Sequence, residues 1–258
     1  MTTAILALIL WGLPSAAEDS PGVEEIVEKA NLAAYYRGDD GKSRVSMTIT
    51  DSQGRTRERE FVILRKDEQD GGDQYFYVYF HRPADVRKMV FMVWKHPGSD
   101  DDRWLYLPAL DLVKRIAASD KRSSFVGSDF LYEDVSGRGV EEDTHELERT
   151  DDQYFVLKNV PRDPSRVKFS YYRIWIDRET FLPMKAEYFD TNDKKYRVVE
   201  ALEVETLQGY PTTTRSRVKN LETGSQTDLE FRDIRYDIGL DRSIFTERYL
   251  RRPPREAR

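Results

Sequence analysis

Several groups of residues have types or spacings that could carry chemistry. The stretch GDDGKS, Gly38 to Ser43, comes nearest to a phosphate loop. A phosphate loop, however, needs a glycine where Tyr36 stands and a helix after its lysine, whereas Lys42 leads into a strand-like pattern. A hydrophilic turn fits better. His81, His96 and His145 are isolated in sequence, with no pair at metal-ligand spacing. His81 and His96 close strand-like runs and read as caps rather than ligands. The tripeptide Gly127-Ser128-Asp129 lacks the second glycine and the preceding strand of a nucleophile elbow. Asp100 to Asp102 reads as a solvated hairpin tip, with weak calcium binding as the alternative. The adjacent carboxylates Glu133 and Asp134 could serve glycoside hydrolysis. With 47 Asp and Glu in the chain, that adjacency carries little information. There is no cysteine, which excludes disulfides, thiol catalysis, thiolate metal sites and a lipid-modified N-terminal Cys. The residues assign no catalytic group, metal or cofactor, and the expectation is a protein that is not an enzyme.

The 258 residues are 39% hydrophobic and 34% charged and include 15 Tyr and 12 Phe, which is enough to build one folded domain. A net charge of −6, with acids and bases interspersed, argues against a nucleic-acid partner. The apolar run Ala4 to Leu13 is too short to span a bilayer but suits the core of a secretory leader. Pro14 ends the run, and Ser15 and Ala17 offer the small side chains that a signal peptidase reads. Cleavage after Ala17 is expected, leaving residues 18–258 as a single exported domain. The leader has no Lys or Arg, which a mis-called start would explain; a buried N-terminal helix is the alternative, against which stands the lack of a polar face from Ala4 to Leu13. No other segment approaches the ~18 apolar residues of a membrane helix, so no stable membrane insertion is expected.

The elements that would position any site follow from periodicity. Between Pro21 and Tyr36, Val23, Ile26, Val27, Ala30 and Ala34 recur at helical spacing, and Gly38 can end the helix. Beyond Gly41 the period becomes two. A first hairpin turns at Asp51 to Gly54, and ten further strand patterns follow, at 74–81, 89–96, 103–108, 112–116, 153–160, 171–177, 184–190, 196–206, 212–220 and 227–236. About 11–12 strands without long intervening helices predict a mostly β, antiparallel sheet or open barrel, with helices at its start and near residues 119–134. The patterns at 74–81 and 89–96 are apolar on both faces and must be covered on both. The pattern at 212–220 is wet. This contrast suits a lined cavity with one solvated wall, with an ordinary sandwich core as the alternative.

The ten residues FVGSDFLYED, Phe125 to Asp134, show neither period. They resemble the F-x-G-S-D-F-x-Y-E-D signature of the outer-membrane lipoprotein-sorting protein family, relatives of the periplasmic lipoprotein carrier. FTERYL, Phe245 to Leu250, is similar to that family's closing segment. The resemblance implies an incomplete antiparallel β-barrel around a hydrophobic cavity with a helical lid, holding acyl chains in transit across the periplasm. It also implies an acylated lipoprotein or lipid cargo, an inner-membrane donor such as a resistance-nodulation-division (RND) type transporter, and an outer-membrane acceptor. On this basis Tyr75, Tyr77, Phe91, Val93, Trp104 and Tyr106 are expected to line the cavity. Phe125, Gly127, Asp129, Phe130, Tyr132, Glu133 and Asp134 are expected to form a lid or gate. Its acids would be fastened to cations, with Arg115, Lys121 and Arg122 nearest in sequence, while the competing reading is a core-filling loop whose acids cap a short helix. The lid-latching arginine of the founding carrier has no counterpart identifiable by motif. The functional alternatives are a lipid-sensing adaptor or regulatory subunit of a membrane transporter, and a secreted hydrolase.

Overall fold

The computed structural model describes residues 21–258; the expected leader, residues 1–17, lies outside them. Helix α1 (Val23–Tyr35) opens with Glu24 and Glu25, which suit the positive end of the helix dipole. Its buried residues Ile26 and Ala30 pack against Phe155, Leu157 and Ile176.

Thirteen strands follow: β1 (Asp40–Thr50), β2 (Thr56–Asp67), β3 (Gln74–Arg82), β4 (Val90–Lys95), β5 (Asp102–Leu107), β6 (Leu112–Arg115), β7 (Asp143–Thr150), β8 (Tyr154–Pro161), β9 (Tyr171–Asp177), β10 (Pro183–Phe189), β11 (Lys195–Leu207), β12 (Tyr210–Asn220) and β13 (Ser225–Tyr236). They form one antiparallel sheet in the order β6-β5-β4-β3-β2-β1-β13-β12-β11-β10-β9-β8-β7, not closed into a barrel. Two meanders, β1 to β6 and β7 to β13, are therefore joined where β1 pairs with β13. The expected fold class holds, with one strand more than the sequence predicts. The extra strand is β7, DTHELERT, whose one large aliphatic residue, Leu147, gives no alternation to read. It is also an edge, where charged side chains discourage pairing with another chain.

Local chemistry sets the turns. Asp51 accepts backbone N–H bonds from Gln53 and Arg55 at 2.9 and 3.0 Å, and Asp190 does so from Asn192 and Lys194 at 2.8 and 2.9 Å. Each reverses the chain within a few residues, as Asx side chains do. Register shifts interrupt the ladders where β1 pairs with β13, β2 with β3 and β11 with β12, and such bulges increase the local twist.

The β2–β5 half of the sheet is covered on both faces. On the concave side, Phe61, Phe76, Val78, Phe80, Phe91 and Val93 meet the segment that links β6 to β7. On the convex side, Leu64, Tyr75, Tyr77, Met92 and Trp104 are covered by the C-terminal segment, through Leu240, Ile244, Phe245 and Leu250. That segment includes helix α3 (Arg248–Arg251). Tyr77 and Trp94 bond its backbone carbonyls, at Tyr249 and Phe245, at 2.7 Å each. Phe245 is 1% exposed and its ring lies 5.9 Å from Tyr75. Phe245→Ala is expected to cost about 3–5 kcal/mol in chemical denaturation. A loss below about 1 kcal/mol would mean that the segment merely rests on the sheet.

Candidate functional site

The link from β6 to β7 must cross between the two edges of the open sheet, and it does so over the concave face. Its backbone reverses at Val126 (φ +51°) and Gly127 (φ +76°), which lets the Phe125 N–H bond the Phe130 carbonyl at 2.7 Å. A Cβ at residue 127 would meet nothing within 4 Å. The left-handed backbone, not crowding, is what favours glycine there. The reversal drives Phe125 into Phe61, Phe80, Phe91 and Tyr132, with ring centroids 5.5–6.1 Å apart. Helix α2 (Tyr132–Ser136) follows, and Asp134 closes its first turn by accepting the Leu131 N–H at 2.6 Å.

This plug fills only the β1–β4 half of the concave face. Beyond Phe130, Leu131 and Val135 lies a cavity of about 750 Å³, bounded by α1, by the sheet from β8 to β13 and by parts of β1 to β3. That volume lies within the ~300–1,000 Å³ range of small-molecule sites. Its apolar wall is a row of directly paired residues, Leu157, Ile174, Ala186 and Val199, running across β8 to β11. Ile63, Phe76, Met47 and Leu229 line the opposite side.

The expected lid residues fall together, but their fastenings differ from expectation. Asp129 accepts from the Ser225 and Thr227 hydroxyls of β13 at 2.6 and 2.8 Å, not from a cation. Glu133 does meet Lys121 and Arg122, at 3.1 and 3.0 Å, but these belong to the same crossing segment. Arg138 joins them, and Glu142 and Asp143 complete the cluster. Burial would raise Glu142, yet its bond to Lys121 and the charges of Arg138 and Arg122 hold it below the usual carboxylate range. Arg115 is elsewhere, paired with Asp102 at the sheet edge. Asp134 alone of the three acids reaches a sheet cation, Arg197 of β11, which the sequence reading missed. Burial pushes Asp134 up and Arg197 opposes the shift. The signal for Arg197 was present, since it shares a strand face with Val199 and Ala201.

Other anchors hold backbone carbonyls. Arg59 donates to Val126 at 3.2 Å, and the buried Lys95 donates to Ser136 at 2.7 Å, at the end of α2. Arg65 bonds the carbonyls of Tyr35, Arg37 and Gly38 where α1 ends.

The expected cavity lining divides between the two faces. Tyr75, Tyr77 and Trp104 lie on the convex face under the C-terminal segment, and Tyr106 packs with them. Phe91 and Val93 are on the concave face, beneath the plug rather than at the cavity. The reason is register: β3 is apolar on both sides, so its pattern cannot say which face turns inward. The histidines make local contacts: His81 with the Ala257 carbonyl, His96 with Asp73 and His145 with Asn159. Gly41 to Ser43 lie within β1, which excludes the phosphate-loop geometry.

A family model described as "-like: Uncharacterized protein" matches residues 72–252. No curated protein matches the sequence. Among solved structures, a DUF1329 family protein from Desulfovibrio piger is 30% identical, with a TM-score of 0.79 over 87% of this chain and 96% of its own. A domain assigned as an outer membrane lipoprotein-sorting protein, from Vibrio parahaemolyticus, is 27% identical, with a TM-score of 0.80 over 89% and 98%. A LolA superfamily protein from Nitrosomonas europaea, 19% identical, shares the fold with a TM-score of 0.69 over 89% and 100%. The chain belongs to the DUF1329 family, and its structural neighbours include the outer-membrane lipoprotein-sorting domain to whose family the Phe125–Asp134 segment pointed.

The Arg65 anchor leans on a buried acid. Asp67 lies 3.1 Å from Arg65 and is pushed up to about 6, first by burial and then by Asp70 and Asp39, against the pull of Arg65. A carboxyl raised in the folded state favours folding below its unfolded value and loses that contribution as pH rises through about 6. Asp67→Asn should therefore raise stability at pH 7.5 by up to about 3 kcal/mol, with the gain vanishing near pH 4. Thermal unfolding across that range checks it, and a gain that persisted at low pH would contradict the assignment.

Proposed function

We propose that the protein is a periplasmic carrier that encloses the acyl chains of lipoproteins or other lipids and moves them toward the outer membrane. It acts by non-covalent sequestration and has no catalytic step. The observation that carries this reading is the cavity of about 750 Å³, half-covered by an aromatic plug and walled by an apolar row. Export through the N-terminal leader would place it in the periplasm, and no helix of the described residues is long and apolar enough to cross a membrane.

The energetics explain the need for enclosure. At ~0.8 kcal/mol per buried CH₂, a chain of about 16 carbons costs about 12 kcal/mol to leave in water. Loading is driven by an inner-membrane donor, for which a resistance-nodulation-division type transporter is the partner proposed, and unloading by an outer-membrane acceptor that shields the chain better.

The test is transfer of a fluorescent acyl phospholipid from donor to acceptor vesicles. The wild-type protein should accelerate transfer. Val199→Trp, which sets a large ring in the apolar row at a residue that makes no bond to Asp129, Glu133 or Asp134, should reduce capture about tenfold or more. Capture without delivery would favour the lipid-sensing adaptor, and no capture at all would overturn the cavity reading.

A further inference from the structure

The cavity wall changes character over one step of the strands. Two residues along each strand from the apolar row, about 6.6–6.8 Å away, a second row crosses β8 to β12. It consists of Asn159, Tyr172, Tyr188, Arg197 and Asn220, each directly paired with the next and all facing the cavity. Alternation along a strand puts both rows on one face, so any ligand lying across the wall touches hydrocarbon first and polar atoms next.

Most of the second row is already bonded. The Tyr172 hydroxyl donates to Asp143 at 3.0 Å, and Arg197 pairs with Asp134. Tyr172 and Tyr188 stack with centroids 5.0 Å apart, and the Arg197 guanidinium lies 5.0 Å over the Tyr188 ring. Of the buried side-chain atoms without a hydrogen-bond partner among the described residues, two belong to this row. Arg197, only 6% exposed, has its Nε–H without an acceptor, and Asn159, 2% exposed, has one end of its amide free. The Val140 carbonyl must accept from His145 Nε2, so whether Asn159 meets His145 Nδ1 through nitrogen or oxygen depends on the charge of the ring. Either way one amide end has no partner. Buried polar groups are rarely left so.

The free Arg197 N–H asks for an acceptor, and the charge balance narrows which one. Asp134 already neutralises Arg197, and Glu133 is held by Lys121, Arg122 and Arg138. A full anion would gain little net attraction there. A neutral carbonyl at the head of a hydrocarbon chain fits both rows.

Granting the carrier reading on which this rests, we infer that the cargo enters past its linkage: the carbonyl of an acyl ester sits at Arg197 while its chain lies along Leu157, Ile174, Ala186 and Val199. The cavity thus reads the acyl linkage as well as the hydrocarbon. Phospholipids and lipoproteins both carry such esters.

The experiment compares dipalmitoyl phosphatidylglycerol, its dihexadecyl ether analogue and a diacylated lipopeptide, with dissociation constants from native mass spectrometry. Wild-type protein should bind both ester ligands at least about tenfold more tightly than the ether. Arg197→Lys keeps a cation for Asp134 but removes the Nε donor, and should bring that ratio toward one with little change for the ether. Asn159→Leu, about 14 Å away across three strand spacings, should leave that ratio unchanged, and the wild-type comparison of ester with ether decides the matter if the lysine variant fails to fold. Equal wild-type binding of ester and ether would overturn the inference and leave the carrier standing. Binding of neither class would overturn both. Preference for only one of the two ester ligands would identify the source.

Discussion

The concave face of the sheet is larger than the segment that crosses it, and the rest of the molecule depends on where that segment stops. Phe125 and Tyr132 enter an aromatic cluster with Phe61, Phe80 and Phe91 at the β1–β4 half, where the packing is close and fully buried. At the β8–β12 half the aromatic cluster stops; Ile26 and Ala30 of α1 pack on Leu157, and the row from Leu157 to Val199 borders the cavity. Apolar surface held out of water but left unpacked gives up both hydration and dispersion contacts. A hydrocarbon ligand supplies the missing contacts, so the same burial that stabilises the plug makes the cavity receptive.

Cations that bond backbone carbonyls help to hold the crossing segment, Arg59 at Val126 and Lys95 at Ser136, and Arg65 holds the end of α1 in the same way. Such bonds fix where the chain runs without demanding a particular side chain from the segment. The acids of the crossing segment bind in three different ways. Asp129 is bound by hydroxyls of β13, Glu133 by cations of its own segment, and Asp134 by Arg197 inside the cavity. All three acids border the cavity, but only the last contact ties the crossing segment to a cation of the cavity wall itself.

The strands were legible because Asx turns and period-two runs leave local marks, and all twelve expected strands occur. Strand β7 was not, because an edge strand with one aliphatic residue carries no such mark. The crossing segment stood out as a unit in FVGSDFLYED, though its five-residue helix is a small part of what is otherwise loop. The cavity lining was the least legible. β3 and β4 are the greasiest strands because both their faces are covered, and that is the reason they are not the main cavity wall. The main wall is built from β8 to β11, whose mixed residues look wet in sequence and become a boundary between two rows only once the register is known.

The central claim is that this cavity holds acyl chains during transit. It is tested most directly by native mass spectrometry of the mature protein purified from its own periplasm, followed by organic extraction and identification of any bound lipid. The account predicts an acylated species bound at near one-to-one and lost when the row is filled at Val199. A clean unliganded mass, unchanged after incubation with phospholipid and lipopeptide, would contradict it.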